Sequence, residues 1–409
     1  MNARRCTRTV LAAAVVLGVM AGPAAPAFAA APTSCSASVT TGQEAMDPED
    51  AKALCTAIAG LPNAAATAAL VRVGGTEGTW RGSSGVHDLV SGRAADPDAR
   101  FRAGSVTKVF TAATVLQLAA EKEIDLDRSV RAYLPELIPA AYEKVTVRQL
   151  LNHTSGLPSA DWPGTTVEEA YANRFHIFKP REVVASATAK AELYPAGTQQ
   201  NYSNIGYTVA GLLIERVTGH SYETEVTRRI LKPLGLHGTS FPGTDPRIHG
   251  PHNRGYQSFV LLGVPPTPLG VGGGTTELRD VSVWSSTDGW AAGDIISTTA
   301  DLELFTRALF SGKVVRGPLL KEMFTLPRLE KGTAAYSVGL TSWKLGGRQV
   351  WGKTGGRWGY NTGIGGTPDL SRTLVYSVNS TDAKGRNENP VVMGLIVAAF
   401  GAPTPPDPA

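Results

Sequence analysis

Ser105-Val-Thr-Lys108 is the only S-x-x-K in the chain. On a helix, residues i and i+3 share a face, with Cβ atoms about 5–6 Å apart. A serine hydroxyl is a poor nucleophile until a base takes its proton. Lys108 is within reach to do so, directly or through a partner. A helix N-terminus at Ser105 adds partial positive charge beneath a developing alkoxide. Tyr202-Ser-Asn204 supplies a phenol, ordinarily titrating near about 10, and cations beside it favour its anion. Lys108 and Lys353 are the candidate cations. Lys353-Thr354-Gly355, followed by Gly356, brings a cation, a hydroxyl and glycines that let something approach the backbone closely. Together these elements point to nucleophilic acyl transfer by an activated serine.

Other patterns compete for the same residues. Gly347-Arg-Gln-Val-Trp-Gly-Lys-Thr354 fits G-x-x-x-x-G-K-T, the phosphate-cradling loop. That loop needs a helix starting at Lys-Thr so that backbone N–H groups meet the phosphates. Here "GGRWGYNTGIGG" follows, which cannot start a stable helix. Lys353 is therefore expected on a strand, and nucleotide hydrolysis is a remote reading. Tyr171-Ala-Asn173 repeats Y-x-N inside "VEEAYANRF", an ordinary amphipathic helix, and is assigned to structure. His153, in "LLNHTSGLP", reads as part of a structural loop packing under the site. The other six histidines show no metal-ligand spacing, so neither a metal nor another cofactor is expected.

The elements that must position these residues follow from periodicity. From Ser105, apolar Val106, Val109, Phe110, Ala113 and Leu116 recur at helical spacing. "EDAKALCTAIAGL" after Asp47-Pro48 and "STTADLELFTRALFSG" also read as helices, as does "NIGYTVAGLLIERVTG" with Gly219 as its stop. "AALVRVGG" and "TWRGSSGV" read as paired strands across a Gly-Gly turn. "YSVGLTSWKL", "RQVWGKTGG", "YNTGIGGTPD" and "RTLVYSVNS" read as further strands, and "VVMGLIVAAF" as a core helix. "PPTPLGVGGGTTEL" reads as a surface loop. The fold class expected is α/β of the α+β type, an antiparallel sheet flanked by helices plus an all-helical region. The division runs as follows: 1–30 signal peptide, 31–60 lead-in and helix, 61–124 first α/β part with the nucleophile helix, 125–300 mainly helical, 301–400 second α/β part, 401–409 tail.

The chain of 409 residues is 42% hydrophobic and 18% charged, ordinary for a globular protein. Arg4, Arg5 and Arg8 precede the apolar run "TVLAAAVVLGVMA", and Ala27-Phe28-Ala29 offers a cleavage site. The run is too short for a spanning helix, which needs roughly 20 residues, so export without a stable membrane anchor is expected, with cleavage near Ala29. The formal charge is +4, and removing residues 1–30 takes away three arginines and no acid, leaving about +1. No basic patch for nucleic acid remains. Cys35 and Cys55 form an even pair in an exported chain, and a disulfide between them is expected. Closing that loop of about 20 residues adds roughly 3 kcal/mol on the chain-entropy argument.

With S-x-x-K, Y-S-N and K-T-G in this order, the chain resembles the penicillin-recognising serine hydrolases. These include class C β-lactamases, certain carboxylesterases and secreted D-alanyl-D-alanine carboxypeptidases. It is most similar to the soluble Streptomyces carboxypeptidase type, in "FRAGSVTKVFTAATVLQLAAEKEIDLDRSVRAYLP", "VTVRQLLNHTSGL" and "GDIISTTADLELFTRALFSG". The similarity spans Leu61 to Ala399. It implies a β-lactamase/DD-peptidase-like fold with the site between the helical and α/β parts. It implies that Ser105 attacks the penultimate D-alanine carbonyl of a peptidoglycan stem peptide. Lys108 and Tyr202 then move the proton to the leaving amine, and Tyr202 helps water attack. Asn204 holds the acyl amide and orients Lys108, while Lys353 and Thr354 face the terminal carboxylate. Backbone N–H groups of Ser105 and Gly356 form the oxyanion hole, with Gly355 beside them. β-Lactams acylate Ser105 on this reading, and a monomer is expected.

Two departures bear on specificity. The carboxypeptidase type commonly carries His where Lys353 stands; lysine is the class C form. It also carries an arginine on the preceding strand, at a place falling near Thr341-Ser342 here. Lys344 or Arg348 is the expected substitute, since a cation must meet the carboxylate. The alternatives are a β-lactamase or esterase on the same machinery, and a non-catalytic cell-wall peptide-binding protein.

Overall fold

The computed structural model describes residues 34–36, 45–164, 166–260, 276–385 and 387–404. The expected signal peptide, the 401–409 tail beyond Thr404 and most of the 265–278 loop lie outside them. The strands are β1 Ser34–Ser36, β2 Ala66–Gly74, β3 Trp80–Gly85, β4 Phe101–Arg102, β5 Tyr256–Val260, β6 Thr276–Asp280, β7 Ile296–Ser297, β8 Thr341–Leu345, β9 Arg348–Arg357, β10 Tyr360–Gly366 and β11 Thr373–Ser380. The helices are α1 Pro48–Ile58, α2 Thr107–Ala120, α3 Val147–Leu151, α4 Val167–Ala172, α5 Pro180–Thr188, α6 Ile205–Thr218, α7 Tyr222–Val226, α8 Lys232–Leu234, α9 Thr299–Phe310, α10 Gly317–Met323 and α11 Pro390–Phe400.

A seven-stranded antiparallel sheet runs β1-β3-β2-β11-β10-β9-β8. Its strands alternate between two cores because side chains along a strand point to opposite faces. Leu374, Tyr376 and Val378 of β11 meet Leu54 and Ile58 of α1 and Leu395 and Phe400 of α11 on one face. Val375, Ile364 and Trp351 face the other way, into the core built by α2, α6 and α9. Helix α2 is buried around most of its circumference, including Thr107, Lys108, Thr111 and Thr114. Polar groups survive there because the three threonines bond to carbonyls one turn back.

Helix ends fall where capping chemistry puts them. Asp47 accepts from Glu49 and Asp50 N–H at the head of α1, and Thr298 caps α9. Gly219 takes the left-handed conformation after α6, at φ 73°. The sequence resembling a phosphate loop is the β8–β9 hairpin: Gly346 and Gly347 turn it at φ 53° and 75°, and β9 continues straight through Lys353 and Thr354.

Some expectations need correction. The region read as mainly helical contains the β5–β6 hairpin, and β6 takes in the end of "PPTPLGVGGGTTEL", which was expected to be loop throughout. The β4–β7 pair also went unforeseen. Helix α9 packs on β11, β2 and β10 of the sheet. Cys55 is half-buried on α1, but its expected pairing involves the Cys35 side chain, which lies outside the described residues. Among the described residues, no helix is long and apolar enough to cross a membrane.

Candidate active site

Ser105 sits in a single 3-10 turn, Gly104–Val106, that feeds directly into α2. Its side chain faces Lys108 one turn on. Gly104 holds φ 52°, and a Cβ there would come within 2.8 Å of the Gly356 nitrogen. A Cβ on Gly355 would lie 2.1 Å from the Ala103 carbonyl oxygen and 3.0 Å from the Ser105 nitrogen. Both glycines are therefore needed for the nucleophile turn to abut β9. Gly356 is under less constraint, with its nearest neighbour for a Cβ at 3.4 Å.

Lys108 is fully buried. Its Nζ stands 2.7 Å from Asn204 Oδ1, 2.8 Å from the Ala292 carbonyl oxygen and 3.2 Å from Ser105 Oγ. Burial holds its pKa well below the usual lysine range, reinforced by the charges of Lys353, Lys384 and Arg357. A neutral amine has two N–H donors and one lone pair. The two shorter contacts take the donors, and the lone pair is left for the Ser105 hydroxyl. This arrangement can serve as a general base acting directly on the serine.

Tyr202 is half-buried, but its hydroxyl is enclosed and meets no hydrogen-bond partner among the described residues. Lys108 Nζ and Lys353 Nζ stand 4.9 and 4.8 Å from the centre of its ring. The expected phenolate is not the resting form. Burial pushes the phenol's pKa up, and the nearby Ser105 hydroxyl offsets this only in part. The same enclosure that raises the phenol lowers both lysines, and Lys353 is brought down to about 7. The groups around Ser105 at rest are thus a neutral amine, a phenol and a hydroxyl, with the partly protonated Lys353 beside them.

The loop carrying Tyr202 is held from beneath. His153 Nδ1 accepts the Ser203 N–H at 3.1 Å, and its ring lies 4.6 Å from that of Tyr202 and 5.0 Å from that of Tyr336. Burial, then the two lysines, keeps His153 well below its ordinary pKa and so neutral, as an acceptor must be. Gln200 clamps the same loop to the β8 approach: its amide donates to the Asn152 and Tyr336 carbonyls and accepts from the Ala335 and Tyr336 N–H groups. Sequence reasoning missed Gln200, Tyr336 and the Ala292 carbonyl. No motif marks a bridging glutamine or a backbone oxygen.

Strand β8 pairs with β9 only as far as Gly352. Among the described residues, no strand covers the outer edge of β9 from Lys353 to Gly356. Lys353 Nζ donates to the Thr354 carbonyl at 2.9 Å. Ser105, Tyr202, Asn204, Lys353, Thr354 and Gly356 border one cleft of about 840 Å³. Arg348 is turned away into an ion pair with Glu77, whereas Lys344 lines the cleft. So does Lys384, which sequence reasoning did not consider; its ammonium donates to the Gly356 carbonyl at 2.9 Å. Tyr171 stays outside, stacked edge-on against Phe259 and Trp284.

Comparison with known proteins gives the family and the fold. The chain superposes on the D-stereospecific amidohydrolase from Streptomyces sp. with a TM-score of 0.71 and 31% identity, covering 85% of this chain and 98% of that one. It superposes on the D-amino acid amidase from Ochrobactrum anthropi SV3, solved with L-phenylalanine, with a TM-score of 0.68 and 25% identity over 81% of this chain and 92% of that one. It is 32% identical over 164 residues to Protein flp of Staphylococcus aureus strain N315, covering 39% of this chain. That match spans 32% of the relative's own length, about a third. Residues 56–398 match the Beta-lactamase family. The chain belongs to that family, the penicillin-recognising serine hydrolases.

Proposed function

We propose that the chain is an exported acyl-enzyme hydrolase that cleaves small amides built on D-amino acids. The observation that carries the reading is the enclosed Lys108 amine with its one remaining contact directed at Ser105 Oγ. Lys108 takes the serine proton as the Oγ–C bond forms. The N–H groups of Ser105 and Gly356 hold the resulting oxyanion, worth about 3–4 kcal/mol for each such donor. When the C–N bond breaks, Tyr202 gives its proton to the leaving nitrogen and is refilled from protonated Lys108. Water then gives a proton to the same couple as it attacks the ester, and Ser105 regains its proton on leaving. Asn204 orients Lys108, and Lys353 and Thr354 bind beside the reacting carbonyl. The amidase relatives support D-amide substrates, and Arg4, Arg5 and the run after them support export.

A second reading, the D-alanyl-D-alanine carboxypeptidase acylated by β-lactams, is favoured by Lys384 and Lys344 on the cleft, where a terminal carboxylate would find a cation. Hydrolysis of D-alaninamide, L-alaninamide and D-alanyl-D-alanine tests both. The D-amide is expected to exceed the L-amide by at least about tenfold in kcat/KM. Equal rates for the two enantiomers contradict D-specificity, and D-alanyl-D-alanine as the preferred substrate moves the assignment to the second reading.

A further inference from the structure

The cleft does not stop at the reacting groups. It passes Thr354 onto the opposite face of the sheet, beneath α11, where Trp343, Val350, Tyr376, Met393, Ile396 and Phe400 line it. Pairing register explains the space. Thr354 stands opposite Gly363, and Gly352 opposite Gly365, so three of these four α11-facing positions carry no side chain. The ring of Tyr376 fills the place above Gly363, 2.4 Å from where a Cβ would sit. Met393 and Ile396 remain half-buried on α11 although both belong to its apolar face. The β8 pairing stops opposite Gly352, and Ser105 lines the same cleft as Met393, Ile396 and Phe400.

We propose that the chamber under α11 is a binding site for an apolar group, aromatic or branched aliphatic, on the leaving amine of the substrate. This rests on the acyl-enzyme reading above. The leaving nitrogen must lie toward its proton donor, Tyr202; Lys353 stands beside that ring, and Thr354 continues from Lys353 into the chamber. A pocket of about 300–1,000 Å³ lined by apolar and aromatic groups with a few polar ones is the usual form of a small-molecule site. Hydrolysis of unsubstituted amides alone leaves most of the 840 Å³ unused.

The test compares D-alaninamide with D-alanyl-p-nitroanilide, which share an acyl group and differ only in the amine. Wild type is expected to prefer the anilide in kcat/KM. Ile396→Trp, which fills the chamber, is expected to lower the anilide-to-amide ratio by about tenfold or more. Met393→Trp repeats the test from the next turn should the first variant fail to fold, as judged by its melting temperature. Ile396→Ala is expected to raise the ratio for amines bulkier than the anilide. A ratio unchanged within about twofold in the folded Trp variant overturns the proposal. Wild type that hydrolyses neither compound instead overturns the amidase reading, and the chamber's role falls with it.

Discussion

Lys108 Nζ lies 3.2 Å from Ser105 Oγ, and its two shorter bonds, to Asn204 Oδ1 and the Ala292 carbonyl, fix the direction of that contact. A buried lysine with this partner set is a base prepared by desolvation. Lys108→Met keeps the volume and removes the base, so acylation is expected to fall by about 10²–10⁴ in single-turnover rate. Lys108→Arg is expected to do no better, since a guanidinium does not deprotonate. Wild-type acylation by either variant contradicts the role.

The pH profile carries a sign that separates the two lysines. Protonated Lys108 has no lone pair for Ser105, so kcat/KM has an acid limb. The charge of Lys353 lowers the Lys108 pKa. Lys353→Met is therefore expected to move the acid limb to higher pH, whatever it does to the maximum. A limb that moves to lower pH, or stays, contradicts the coupling.

Lys353 also links stability to pH. Its folded pKa of about 7 lies below the ordinary lysine value of 10.5, with burial as the cause. Between those values the unfolded chain binds a proton that the folded chain does not, so this group makes stability rise with pH across that window. Wild type is expected to gain more in melting temperature from pH 7 to pH 9 than Lys353→Met does. The reverse order contradicts the burial of Lys353 Nζ.

Adjacent glycines should respond differently. Gly355→Ala drives a methyl into the Ala103 carbonyl at 2.1 Å, and is expected to cost about 1–3 kcal/mol by urea unfolding and to displace the nucleophile turn. Gly356→Ala meets its nearest neighbour at 3.4 Å and is expected to cost less. Equal costs contradict the close approach of β9 to Ser105.

His153 positions Tyr202 through the Ser203 N–H. His153→Phe leaves that N–H without its acceptor and is expected to cost about 1–3 kcal/mol and to lower kcat more than it raises KM. His153→Asn keeps an acceptor and tolerates the left-handed φ of 63°, so partial rescue of kcat is expected. Equal damage from both variants contradicts a positioning role.

Much of this was legible in the residue order, and what was not has physical reasons. Period 3.6 gives Ser105 and Lys108 one face of one helix, and the glycines after Thr354 announce a close approach. The sheet strands and the caps of α1, α6 and α9 follow from local chemistry. The Tyr202 ionisation went the other way because sequence counts charges but not burial, and desolvation outweighs the Ser105 hydroxyl while also lowering the lysines expected to favour the anion. The Ala292 carbonyl and Gln200 act from 184 and 135 positions away from their partners Lys108 and Ala335, and such pairings leave no local periodicity. The two-residue strands β4 and β7 are too short for an alternating pattern.

Acyl transfer to Ser105 is tested most directly by intact mass after mixing with a penicillin, followed over time beside Ser105→Ala. The expected result is a gain equal to one penicilloyl group in wild type, decaying as the ester hydrolyses, and no gain in the variant. The same adduct on Ser105→Ala contradicts the assignment of Ser105 as the nucleophile, and an unmodified wild type contradicts acylation by β-lactams.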